Sequence, residues 1–98
     1  MTTLEDFIDS FKDEFPSASL SAPLKAMWYD AKGNWQQAHE VAQDINSPAG
    51  SLIHAYLHRK EGDDSNAKYW YSSARENFPL CSIEDEWKLI VEKLLQNT

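Results

Sequence analysis

Apolar positions along this 98-residue chain recur every three or four residues almost from end to end. Leu4, Phe7, Ile8, Phe11 and Phe15 form the first such stripe, at the spacing of one helix face. Thr3 with Asp6 makes a capping-box pattern ahead of it and Pro16 stops it, which predicts a helix over about residues 3–15. Ser21 and Pro23 open a second helix over about 22–31, with Leu24, Met27 and Trp28 on its apolar side and Gly33 after its end. Asn34 caps a third, about 35–45, packed through Trp35, Ala38, Ala42 and Ile45. Ser47 and Pro48 begin a fourth that runs to about Glu61 and is closed by Gly62. Asp63 or Asp64 starts a fifth, reaching about Asn77, striped by Ala67, Trp70, Tyr71, Ala74 and Phe78. Ser82 with Asp85 opens a sixth along Ile83, Trp87, Ile90, Val91, Leu94 and Leu95.

Few stretches combine β-branched residues with the alternation that a strand requires. The links between helices span roughly two to six residues, short enough to make sequential helices antiparallel. The expectation is an all-α fold of about six helices in a single domain over residues 1–98.

Offsetting the chain by 29 residues overlays Ala26 on Ala55, Gly33 on Gly62, Asn34 on Asp63 and Ala38 on Ala67. The shared pattern is a helix, a Gly, an Asn or Asp cap, then an Ala one turn into the next helix. Gly ends one helix in a left-handed conformation, the cap starts the next, and the Ala lets the two approach closely.

That pattern resembles the tetratricopeptide repeat. Ala67, Tyr71, Ala74 and Pro79 stand where the family places small, aromatic, small and proline residues in the second helix of a hairpin. Tyr29, Gly33, Trp35 and Ala38 match in the earlier unit, whose period is shorter than the usual 34 residues. The resemblance covers about the middle half of the chain. It implies antiparallel hairpins, with the first and last helices as covers whose outward charges (Asp6, Asp9, Asp13, Glu86 and Lys93) are solvated. The segment from His54 to Tyr71 is also similar to a group of short TPR-like proteins of unknown function, which implies the helical fold and no particular activity.

Composition narrows the partners. The net charge is −7, from 16 acidic and 9 basic residues. Such a chain repels nucleic acid and anionic membrane surfaces unless a local basic patch exists, and Arg59-Lys60 is followed at once by Glu61, Asp63 and Asp64. Cys81 is alone, which points to a reduced thiol and a cytoplasmic protein. The acidic start lacks the features of a signal peptide, and no apolar run has membrane-spanning length.

His54, His58 and Glu61 fall at i, i+4 and i+7 on the fourth helix and share one side of it. Two imidazoles one turn apart chelate a transition metal, and a carboxylate one turn on can complete three ligands. His39 and Glu40 sit on the neighbouring third helix, where antiparallel packing would bring His39 near the other two. The plainer reading makes these packing histidines, facing Tyr71 and Ala67 and satisfied by a carboxylate, carbonyl or tyrosine. The fourth helix is contradictory on its own terms. Its apolar side is Leu52, Ile53, Tyr56 and Leu57, while the repeat register buries His54, Ala55 and His58. Both hold if this helix is central, with a polar network of His54, His58, Glu61, Asn66 and Tyr69.

The repeat register puts Tyr56 and Arg59 in a groove with Met27 and Asp30. The functional expectation is therefore a non-enzymatic module without a cofactor that captures a protein or peptide partner in this helical groove. An apolar patch left open would favour a homo-oligomer instead. The alternative expectation is a divalent transition metal or small polar ligand held by His54, His58 and Glu61.

Overall fold

The computed structural model describes residues 2–96, and the chain is all-α: no strand occurs among these residues. The helices are α1 (Leu4–Asp9), α2 (Ala22–Ala31), α3 (Trp35–Gln43), α4 (Pro48–Lys60), α5 (Asp64–Ser73) and α6 (Ile83–Gln96), with a 3-10 turn over Ser10–Lys12 after α1. Their starts follow from the caps. Thr3 and Asp6 form the reciprocal capping box. Ser21, Asn34, Ser47, Asp63 and Ser82 each accept the backbone N–H three residues on. Each satisfies a donor that the first turn leaves orphaned.

Three helices end in one geometry. Gly33 and Gly62 adopt φ of +82° and +88°. In each case the glycine N–H and the next N–H bond back to carbonyls of the last turn: Gly33 to Asp30 and Asn34 to Tyr29, Gly62 to Arg59 and Asp63 to His58. This is the double-bonded left-handed exit that glycine favours. The end of α5 repeats it with a non-glycine residue. Arg75 takes φ +60°, its N–H bonds to Ser72, and that of Glu76 bonds to Tyr71.

That exit stops α5 at Ser73, short of the expected Asn77. Likewise α1 does not reach Phe15. Ser10 turns its hydroxyl onto the Phe7 carbonyl at 2.6 Å, and the Trp28 indole donates to Ser10 Oγ at 2.9 Å. Lys32 Nζ then takes the Phe11 and Asp13 carbonyls. A distant lysine takes carbonyls that a longer helix needs for its own bonds, Trp28 holds the Ser10 hydroxyl against the Phe7 carbonyl, and Phe15 stays 69% exposed.

Side chains on α4 meet both neighbours in reversed order. Against α5, Ser51 faces Ser73, His54 faces Trp70 and His58 faces Asn66. Against α3, His54 meets His39 and the Leu57 carbonyl meets the Trp35 indole. Both pairs are therefore antiparallel. On its other side α4 packs against α2 and α6, so every residue from Ile53 to His58 is buried. The two conflicting faces of this helix are both covered, as a central position requires.

The main core gathers Phe7, Leu24, Met27, Trp28, Ile53, Tyr56, Leu57 and Val91 between α1, α2, α4 and α6. Full burial of such side chains stabilises by about 1.5–3 kcal/mol each, before the entropy of ordering them is subtracted. A smaller cluster of buried Ala55, Ala67 and Tyr71 joins α4 to α5. Helix α6 lies across α2 and α4 and also touches α1. It fills the inner face of the helix layer, where the repeat pattern placed a cover at the end of the stack.

Candidate functional site

The layered packing turns one edge of α4 toward both α3 and α5, and three imidazoles converge there. His39 Nε2 and His54 Nε2 are 2.9 Å apart. Their rings meet edge-on at 4.6 Å, His54 and His58 stack at 4.9 Å, and His39 lies 5.4 Å from His58. One ligand nitrogen from each of the three lies within 4.8 Å of those from the other two. His54 and His58 are buried and His39 is half-buried.

Two indoles wall the cluster. Trp35 stacks on His39 at 5.0 Å and Trp70 on His54 at 4.0 Å, with ring planes 12° and 8° apart. The Trp35 N–H is bonded to the Leu57 carbonyl at 2.9 Å, which fixes that wall. Burial pushes the His54 imidazole down to about 4, and proximity to His39 and His58 adds to the effect. His39 is also lowered, first by burial and then by the His58 charge. Crowded and partly dry, His54 is neutral at physiological pH, the form in which imidazole ligates a metal.

Glu61 takes a different place from the one its i+7 spacing suggested. Its carboxylate binds His58 Nδ1 at 2.5 Å, and with Asp63 it forms a second, exposed group of ligand atoms around His58. The expected trio of His54, His58 and Glu61 is thus replaced by His39, His54 and His58. Glu61 holds one ring and leaves His58 Nε2 on the far side, near the Asn66 amide at 3.5 Å. A carboxylate behind a ligating histidine sets its tautomer and raises its basicity. Glu40 lies on the exposed side of α3, accepts from Gln36 at 3.4 Å and takes no part in the cluster. The histidines face Trp70 and Asn66, one step around α5 from the expected Tyr71 and Ala67, which pack on Ala55. Tyr69, expected in the polar network, is 66% exposed and meets the edge of Trp70.

The groove expected over Tyr56, Arg59 and Met27 is filled by α6. Tyr56 is 2% exposed and Met27 fully buried. The Tyr56 hydroxyl donates to Asp30 at 2.7 Å. Arg59 donates to Glu86 at 2.9 Å and to the Cys81 carbonyl at 2.5 Å. Glu86, expected to be solvated, is 5% exposed and also accepts from the Tyr71 hydroxyl at 2.5 Å. Burial and the bonded carboxylates push both phenols well above the ordinary tyrosine range. Glu86 was missed because its position carries no sequence mark; the signal available was a buried Arg59 in need of a counter-charge. Asp30, expected in the groove with Tyr56 and Arg59, is at 3% exposure a buried carboxylate bonded by Tyr56 and Lys60, while Arg59 pairs with Glu86.

A search of protein-family models, curated proteins and solved structures finds no match to this chain.

Proposed function

We propose that this chain is a small TPR-like helical protein that binds one divalent transition metal through His39, His54 and His58, without catalysing a reaction. The carrying observation is the convergence of three ring nitrogens within 4.8 Å from two helices locked in antiparallel register. In a tetrahedral site with metal–nitrogen bonds of about 2.0–2.1 Å, ligand nitrogens stand about 3.3 Å apart. The His39–His54 separation of 2.9 Å needs a slight opening, and the His58 nitrogen, within 4.8 Å of both, needs adjustment toward the same spacing. Imidazole suits zinc, copper, nickel and cobalt. Glu61 behind His58 adds the second support that such ligands carry. The same backbone exit after Gly33, Gly62 and Arg75 supports the TPR-like frame.

Isothermal titration of the purified chain with zinc, nickel and copper tests this reading. One ion per chain is expected. Glu61→Gln should weaken binding about 10–100-fold and His39→Ala at least as much. Failure of the native chain to take up any of the three ions, or unchanged binding in His39→Ala, rejects the site.

A second reading, a partner-binding module, draws on another surface. A surface groove beside α6 runs past Leu52, Pro79, Leu89, Ile90 and Leu94 together with the Glu76–Lys93 ion pair, and Leu89 is 60% exposed. A chain that takes up no metal in the titration leaves this groove as the working surface.

A further inference from the structure

On the far side of α4 from the histidines lies a cavity of about 320 Å³, bounded by α1, the last turns of α2 and α4, and the start of α6. Its walls are Ile8, Phe11, Ile83 and Trp87. Ile8 is 45% exposed, so one wall lacks cover from the chain itself. At the floor sits Asp30, 3% exposed, accepting from Tyr56 at one oxygen and from Lys60 Nζ at the other, 2.8 Å away. Glu84 stands at the mouth.

We propose that the Asp30 carboxylate at the floor of this cavity receives the primary ammonium of a small amine with an apolar body, and that Lys60 is the resident stand-in for that group. The chain itself displays the recognition: an alkylammonium already lies on the buried carboxylate. The charges of Asp30, Glu84 and Lys60 leave the site net negative, which opposes an anion and attracts a cation. The apolar walls of Ile8, Phe11, Ile83 and Trp87 suit the body of the amine. A carboxylate offers about four acceptor positions, of which Tyr56 and Lys60 use two. The Lys60 side chain is 40% exposed on the last turn of α4 and can swing into water when a visiting ammonium takes its place. Tyr56 then keeps the second oxygen fixed. This site shares no residue with the histidine cluster and stands or falls without it.

The test follows the Trp87 indole N–H by NMR in the full chain, titrated with 2-phenylethylammonium, 2-phenylethanol and 3-phenylpropionate at matched ionic strength. The ammonium should shift the Trp87 signal at concentrations at least about tenfold below those needed for either control. Lys60→Met removes the stand-in and should bind the ammonium at least about tenfold more tightly than the native chain. If that variant unfolds, the ammonium should restore the fold and the alcohol should not. Equal or stronger response to the propionate or the alcohol overturns the proposal. So does a folded Lys60→Met chain with no gain in affinity, or an unfolded one that the ammonium fails to restore.

Discussion

His54 shows how much one side chain can be asked to do. It is buried, bonded to His39, stacked on Trp70 and kept neutral down to about pH 4. The unfolded chain takes up that proton near the ordinary imidazole value of 6.5. Stability from this residue is therefore complete above about pH 6.5 and is lost as pH falls toward 4, by at most about 3 kcal/mol. We expect the melting temperature to drop through this window. His54→Phe keeps the ring stack and lacks the proton, so it should show a clearly shallower slope between pH 6.5 and 5 by circular dichroism. At this scale the sequence is half legible. The i, i+4 spacing announced His54 and His58, because helical geometry places them together whatever the tertiary fold. That His39 would come near them followed from antiparallel packing; that Glu61 would turn back to His58 Nδ1, three residues away on the same helix, was one of several local rotamers that spacing leaves open. Glu86 was opaque: a carboxylate among other acids at a helix start looks solvated until its arginine and tyrosine are seen.

At the scale of helices, starts were legible, as were the ends closed by Gly33 and Gly62, while the ends of α1 and α5 were not. Caps are local, since Ser47 meets Gly50 and Asp63 meets Asn66 three residues on. The end of α1 has distant partners, Lys32 on the Phe11 and Asp13 carbonyls and Trp28 on the Ser10 hydroxyl, well before Phe15. The glycines separate the two kinds of constraint. A Cβ at Gly33 or Gly62 would meet nothing within 4 Å, so Ala there costs only backbone strain at positive φ, about 1 kcal/mol. Gly50 has an ordinary backbone, but a Cβ would overlap the Ile45 carbonyl oxygen and lie 2.8 Å from Ile45 Cβ. Gly50→Ala must push α4 away from the preceding turn, with an expected loss of more than about 2 kcal/mol. Denaturant unfolding of the three variants should rank Gly50→Ala as the most damaging, although it is the one glycine that no hairpin pattern singled out.

The molecule as a whole is held by the helix that the repeat pattern treated as a cover. Helix α6 contributes Ile90 and Val91 to the main core, Trp87 to the Met27 carbonyl, and Glu86 to both Arg59 on α4 and Tyr71 on α5. Packed into the inner face, it joins elements that a plain stack would leave coupled only to their neighbours. The chain should therefore melt in one step, with far-ultraviolet and near-ultraviolet dichroism coinciding. A chain ending at Cys81 should lose that shared transition, because Tyr56 and Met27 would face water and Arg59 would lack its counter-charge. The all-helical class was legible from periodicity alone. The filled groove was not, since a wide apolar face on a last helix says that it must be buried and not against what.

One further consequence comes from the flat contact between Trp70 and His54. An excited indole lying 4.0 Å from an imidazole, nearly parallel to it, is close enough to pass an electron to its neighbour when that ring gains a proton. With Trp35 stacked on His39, a proton or metal ion arriving among the three rings is expected to change the emission of two chromophores at once. The chain thus carries its own lamp, set against the residues whose occupancy most needs to be watched.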